Sequence, residues 1–315
     1  MSIGRTYPFG ISVVIPVYNG ERTLTELISR LEKALSAISA HYEVVLVNDG
    51  SRDYSWDVIQ ELDGKYSWVR GINLMRNYGQ HNALLCGIRE ATHEVIVTMD
   101  DDLQHPPEEI PKLLDKLSEG YDVVYGSPEK ERHDFWRNIA SRVTKLALQT
   151  VIGAKIARNV SAFRVLRAEV CNAFANYQSP FVSIDVLLAW GTSNFGSVQV
   201  NHEFRREGVS NYTFRRLVTH AVNMVTGFSI FPLQVASLLG FALTLFGTGL
   251  LFYVVGLYLI LGGTVPGFSF LASIICIFSG AQLFSLGING EYIARMHFRM
   301  MGRPPYTVRS RTSKS

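Results

Sequence analysis

Thr98-Met99-Asp100-Asp101-Asp102-Leu103-Gln104-His105-Pro106-Pro107 sets three carboxylates side by side directly after an apolar run. Adjacent carboxylates repel, so a fold that keeps them must solvate them, protonate one, or neutralise them with a cation. On an extended strand end, Asp100 and Asp102 project to one side and Asp101 to the other, and Gln104 continues the first side with a neutral oxygen. Such an all-oxygen set suits Mg2+ or Mn2+ and leaves coordination positions for phosphate, whereas Zn2+ would recruit more His or Cys. The same residues also read as a solvated acidic turn. Asp102 or Gln104 would then cap a helix starting near Pro106-Pro107-Glu108-Glu109, where proline and acidic side chains are ordinary.

The elements that must position this motif alternate along the chain. Residues 11–16, 43–51, 69–74 and 94–99 are β-rich apolar runs, and 21–38, 55–65 and 80–91 carry apolar residues at helical spacing. Continuous apolar runs suit parallel strands buried on both faces, and the alternation predicts a doubly wound α/β sheet. Ligands of such sheets bind beyond the carboxyl ends of the strands. Those ends supply Pro16-Val17-Tyr18-Asn19, Asn48-Asp49-Gly50-Ser51, Arg76-Asn77-Tyr78-Gly79 and the acidic triplet, which favours the metal-diphosphate reading of the triplet. Neither G-x-G-x-x-G nor G-x-x-x-x-G-K-[ST] occurs, so a dinucleotide-type Rossmann site or a P-loop lacks support.

Charge is distributed unevenly. From Leu217 to Gly290 there is no Asp, Glu, Lys or Arg. Within that region two apolar stretches, about 233–261 and 268–290, each exceed the roughly 20 residues that cross a hydrocarbon core. Gly262-Gly263-Thr264-Val265-Pro266-Gly267 separates them as a turn. A two-helix transmembrane hairpin is expected, because buried soluble helices usually keep a polar stripe and these do not.

Arg205, Arg206, Arg215 and Arg216 precede the hairpin, and Arg295, Arg299, Arg303, Arg309, Arg311 and Lys314 follow it. Both ends are therefore expected on the cytoplasmic side of the inner (plasma) membrane, multi-pass, with basic residues beside anionic lipid rather than nucleic acid. The start of the sequence shows no signal-peptide core. Cys86, Cys171 and Cys276 have neither metal nor disulfide spacing, which fits a reducing compartment. The expected organisation is a cytoplasmic domain over 1–215, a membrane domain over 216–294 and a basic tail over 295–315.

In this order and spacing, SVVIPVYN, VLVNDGS, RNYGQHNAL and DDDLQHPPEEIPKLL resemble glycosyltransferase family 2, and within it the polyprenyl-phosphate sugar transferases. The resemblance continues through Gly208–Tyr212, both apolar stretches, Gly290–Arg295 and Arg303-Pro304-Pro305-Tyr306, and so covers almost the whole chain. It implies a GT-A-type domain that binds a nucleotide-diphosphate sugar, expected to be UDP-linked, across the strand ends. Pro16, Tyr18 and Asp49 would contact base and ribose, and Arg76 the nucleotide; Asn19, Glu21 and Asp101 complete the donor site. Asp100, Asp102 and Gln104 would hold Mg2+ or Mn2+ and the diphosphate.

The resemblance further implies that the sugar passes, with inversion, to the phosphate of a polyprenyl (undecaprenyl) lipid. Arg137 with Ser141 matches the family pattern that gathers this phosphate, and four-residue spacing puts both on one helix face. A solvated amphipathic helix with Arg137 at a membrane surface is the alternative. Arg206, Ser210 and Tyr212 are implied near the phosphates, with a loop-stabilising role as their alternative. Relatives of similar build form tetramers, which implies a homo-oligomer. A diphosphate leaving group gains charge that a metal stabilises. The acceptor monoester, with a second pKa of about 6, is mostly ionised at neutral pH and needs no strong base.

The chain departs from the family pattern in three places. Asn19-Gly20-Glu21 stands where relatives commonly read Asn-Glu; Pro128 replaces a usual Arg, leaving Lys130 or Arg132 as nearby cations; and Asn159 replaces a frequent Asp. A processive polysaccharide synthase would carry a longer membrane domain and a Q-x-x-R-W motif, and neither is present. The remaining alternatives are a non-catalytic nucleotide-sugar-binding membrane scaffold and a transferase of this fold with another lipid acceptor.

Overall fold

The computed structural model describes residues 6–128, 160–203, 231–261 and 267–312. The chain forms two units, one of Met1–Phe214 with Gly302–Ser315 and one of Arg215–Met301. The first unit is built on one eight-stranded sheet, whose strands lie in the order Phe195–Val200, Val123–Pro128, Arg164–Arg167, Val95–Thr98, Ile11–Val17, Tyr42–Asn48, Val69–Leu74 and Val308–Arg311. Its centre is parallel: β4 (Val95–Thr98), β1 (Ile11–Val17), β2 (Tyr42–Asn48) and β3 (Val69–Leu74). Every residue of β1 is buried, the consequence of a strand covered on both faces.

Alternate residues of β1 feed two cores. Val13, Ile15 and Val17 join Leu27, Ile28 and Leu31 of α1 (Leu24–Ser36), Ile59 of α2 (Ser55–Lys65) and Leu114 of α4 (Ile110–Ser118). Val14 faces the other way, with Leu84 and Leu85 of α3 (Gln80–Glu90) and Leu187 of α5 (Ile184–Gly191). Period-two projection and helices on both faces thus give the doubly wound domain. The wider sheet is mixed. β6 (Arg164–Arg167) inserts antiparallel between β4 and β5 (Val123–Pro128), and β7 (Phe195–Val200) pairs parallel with β5.

The last stretch of sequence, expected as a basic tail, is part of this sheet. β8 (Val308–Arg311) pairs antiparallel with β3. Its Arg309 and Arg311 are exposed while Val308 and Ser310 are half-buried, the charged alternation of a protected edge strand.

In the second unit, α6 (Phe231–Leu261) contains a segment, Pro232–Ile260, long and apolar enough to cross a membrane. α7 (Phe268–Met300) continues past the apolar end expected at 290, where Glu291 and Arg295 pair across one turn at 2.7 Å. The two helices pack closely, since a Cβ on Gly247 would lie 2.9 Å from the Phe278 ring. The Thr244 and Thr248 hydroxyls donate to the carbonyls of Gly240 and Thr244, each at 2.8 Å, so neither is left unsatisfied in apolar surroundings.

Candidate active site

The loops that follow the four central strands are tied to one another by their own polar groups. Pro16 is buried in β1, and Tyr18 and Asn19 beyond it are exposed. Asn19 adopts a left-handed backbone (φ 56°), which Asn tolerates better than most residues. Its N–H donates to Ser51 Oγ at 3.0 Å, and its Oδ1 accepts from the Arg52 N–H at 2.9 Å. Glu21 Oε2 accepts from the Tyr54 N–H at 3.0 Å. Asn19 and Glu21 therefore stitch the loop after β1 to the loop after β2.

Asp49 is buried, and its two oxygens accept from the backbone N–H groups of Tyr78 at 2.7 Å and Gly79 at 2.9 Å. Burial pushes its carboxyl up to about 6, against the pull of those two amides. Here Asp49 holds the β3–α3 loop. Gly50 (φ +65°) lets the two loops touch, because a Cβ there would lie 2.5 Å from the Arg76 carbonyl carbon. Arg76 is exposed, with its guanidinium 4.7 Å from the Tyr78 ring centre.

β4 ends at Thr98, so strand alternation stops before the acidic triplet, which lies in a loop. Contacts divide the triplet instead. Asp100 Oδ1 accepts from Gln80 Nε2, at the first residue of α3, at 2.6 Å. Asp101 Oδ2 meets the Tyr18 N–H at 3.4 Å, and burial together with Asp100 and Asp102 pushes its carboxyl up to about 7. A Cβ on Gly20 would lie 2.4 Å from the same oxygen. Gly20 and Asp101 are thus complementary. Asp102 Oδ1 accepts from the Gln104 N–H at 3.1 Å, a local Asx turn. Between them buried Leu103 has φ 59°, a strained conformation for a bulky residue. This reversal also breaks the alternation expected to aim Gln104, which is half-buried.

The segment after β7 closes over the end of the motif. The Glu203 N–H donates to the Gln104 carbonyl at 2.9 Å. Arg30 bridges Glu108 at 2.7 Å and Glu203 at 3.1 Å, and Asn201 Nδ2 donates to Glu109 Oε1 at 2.9 Å. His105 packs 5.3 Å from the Phe163 ring and 5.1 Å from His202, and burial pushes it down to about 4, so it is neutral at physiological pH. Behind the motif, Arg164 pairs with Asp185, which also accepts from the Tyr125 hydroxyl at 3.0 Å. All three are buried, a fixed polar clasp between β5, β6 and α5.

Among the described residues, no three His, Cys, Asp or Glu side chains form a ready-made metal cage. By donor chemistry alone, Asp100, Asp102 and Gln104 are a hard-oxygen set of the kind Mg2+ or Mn2+ takes, while one oxygen of each carboxylate is engaged by Gln80 Nε2 or the Gln104 N–H. Arg137, Ser141, Arg206, Ser210 and Tyr212, with Lys130, Arg132 and Asn159, lie outside the described residues. The sequence assigned no role to Gln80, the close approach at Gly50, the Arg30 bridge or the Arg164–Asp185–Tyr125 clasp.

A mixed sheet of this order, with an acidic loop after β4 and polar loops after β1, β2 and β3, is the architecture of a GT-A-type domain. Residues 12–174 match the family model Glycosyl transferase family 2; the chain belongs to that family and is a glycosyltransferase. It is 36% identical over 311 residues to undecaprenyl-phosphate 4-deoxy-4-formamido-L-arabinose transferase of Pseudomonas aeruginosa, covering 96% of this chain and 91% of that one. The protein so named in Shewanella sediminis is 37% identical over 302 residues, covering 95% and 91%. Among solved structures, glucosyl-3-phosphoglycerate synthase of Mycobacterium tuberculosis, with Mn2+, UDP-glucose and phosphoglyceric acid, superposes with a TM-score of 0.52 at 17% identity, covering 70% and 78%. That likeness concerns the fold.

Proposed function

We propose that this enzyme transfers a sugar, with inversion and with Mg2+ or Mn2+, from a UDP-linked donor to undecaprenyl phosphate at the cytoplasmic face of the membrane. The product would be a lipid-linked sugar for cell-envelope glycan or lipid modification. One observation carries the reading: the strand ends gather the Asp49-held loop and the Gln80–Asp100 contact beside an acidic turn, in a chain that continues into apolar α6. Near full-length similarity to relatives named as undecaprenyl-phosphate sugar transferases supports the acceptor. The solved neighbour was bound to Mn2+ and UDP-glucose, the same class of donor.

In this reading Pro16, Tyr18, Asn19, Glu21, Asp49, Arg76 and Asp101 shape the donor side. Asp100, Asp102 and Gln104 would hold the divalent cation, which supplies positive charge to the diphosphate leaving group. Arg137, Ser141, Arg206, Ser210 and Tyr212 would gather the acceptor phosphate, already an anion at neutral pH. Arg205 and Arg206 follow Glu203 closely in sequence, and Glu203 is bonded to the acidic loop. α6 and α7 would form the membrane hairpin, with both flanks cytoplasmic and the protein a homo-oligomer.

The test is transfer of radiolabelled sugar to undecaprenyl phosphate by the full chain in detergent with Mg2+ or Mn2+. The donor panel is UDP- and GDP-sugars and includes UDP-4-deoxy-4-formamido-L-arabinose. A lipid-linked product that disappears with chelator is expected. Folded protein that gives no such product with any donor would sink the reading.

A further inference from the structure

We infer that residues 306–312 form a strap that positions the β3–α3 loop, which makes the return of the chain from α7 part of the donor site. This rests on the donor site proposed above. Met75, immediately before Arg76, is gripped at both backbone groups. Its N–H donates to the Thr307 carbonyl at 2.9 Å, and its carbonyl accepts from Arg309 Nη2 at 3.1 Å. The β3–β8 register shifts between Asn73 and Leu74, so the pairing is re-aimed at the residues that enter the loop.

The strap is itself well anchored. Thr312 exchanges two bonds with Gly71, Oγ1 accepting from its N–H at 2.8 Å and N–H donating to its carbonyl at 2.9 Å, and Thr312 Oγ1 also donates to Asp63 at 2.7 Å. Arg311 pairs with Glu90 of α3 at 2.7 Å. Tyr306 packs in the same cluster as Tyr78, with the Arg89 guanidinium 5.8 Å from its ring.

Beyond Met75 the loop has no ladder of its own. It passes close to the Gly50 backbone in the middle and is held at its end by Asp49, after which Gln80 reaches Asp100 at 2.6 Å. A shift at Met75 therefore propagates along a short, doubly tethered loop to a carboxylate of the acidic motif. A strap that only covered a sheet edge would need the β8 pairing, which the Met75–Thr307 bond extends by one rung, and would not need Arg309 on the Met75 carbonyl.

The experiment compares wild type, Arg309→Ala and Arg309→Lys as full-length protein. Arg309 is exposed, so its truncation leaves the core untouched. Losing one charge-assisted bond to the loop is expected to raise the donor KM about fivefold. The kcat and the acceptor KM should change by less than about twofold, and Arg309→Lys should recover most of the loss. Amide exchange across Met75–Gly79 should quicken in Arg309→Ala and not in Arg309→Lys. An unchanged donor KM with unchanged exchange there would overturn the strap. Inactivity of wild type with every donor would count against the proposed transfer reaction, and the exchange measurement would still decide the strap.

Discussion

Two carboxylates stand at the two ends of β2 and are treated in opposite ways. Glu43, near its start, accepts from Ser12 Oγ at 2.7 Å, from the Thr92 N–H at 2.7 Å and Oγ1 at 2.8 Å, and from Arg70 Nε at 2.8 Å. Burial pushes its carboxyl up, but these donors outweigh burial and hold it below the ordinary glutamate range. Asp49, just past the other end, is at least as buried and receives two backbone amides, and it sits near 6. The amino ends of the strands are finished for stability. Asp49 keeps a carboxylate where burial disfavours its charge and fixes the β3–α3 loop, which faces the donor in the function proposed above.

The hardest blow to the carboxyl end is Asp102→Ala. It is expected to lower kcat/KM by about 10²–10³-fold, the scale of losing a principal electrostatic support, and to leave the thermal midpoint nearly unmoved. Radiolabelled transfer beside a melting curve checks both. Glu43→Ala is the mirror image. Removing the hub of a buried network strands Arg70, Ser12 and Thr92, at about 3 kcal/mol, which lowers the unfolding midpoint by on the order of 10 °C. Specific activity of the folded fraction should hold at low temperature. If Glu43→Ala abolished activity without lowering the midpoint, the division between the two ends would be broken.

The complementarity of Gly20 and Asp101 gives a smaller, sharper test. Asp101→Ala is expected to cost less than about tenfold, far less than Asp102→Ala, since Asp101 turns toward the Tyr18 amide. Gly20→Ala alone should be worse than Asp101→Ala, because its Cβ meets Asp101 Oδ2. The double variant should regain activity over Gly20→Ala. Additive losses in this cycle, measured as kcat/KM, would show that the two sites are independent.

The same contrast explains what the sequence could disclose. Strands buried on both faces announce themselves as apolar runs, and β1, buried at every position, begins at Ile11 as the pattern indicates. β6 and β8 do not, because RVLR and VRSR carry arginines whose partners are remote in sequence. Arg164 is neutralised by Asp185, and β8 reads as a tail until β3 is there to receive it. At the proposed site the residue types suggest a chemistry and leave the geometry open. Asp100 and Asp102 signal hard-cation chemistry by composition, but the alternation used to aim them presumes a strand that stops at Thr98, and Leu103 then reverses the chain. Gln80 and the strap act through tertiary contacts that no local pattern encodes. Gly20, which stands out as a departure from the family pattern, is explained once Asp101 is seen to fill the space a side chain would need.

The subtlest consequence is a pair of opposed pH dependences on one strand. Asp49 is raised from 3.8 to about 6, so between those values the folded state holds a proton that the unfolded state has lost. The stability linked to that proton is fully present below the unfolded value and is lost as pH rises through about 6. Glu43 is lowered from 4.5, so its contribution is present above that value and is lost as pH falls through its depressed folded value. Against Asp49→Asn, the stability advantage of wild type should therefore shrink by a few degrees of midpoint between pH 4.5 and 7.5. Against Glu43→Gln, the advantage should be full at pH 7.5 and fade only as pH falls below the unfolded value of 4.5. Melting curves of the three proteins across this range are the check. Parallel pH profiles for the two variants would mean that both carboxylates are equally well satisfied, and that the strand has no functional end.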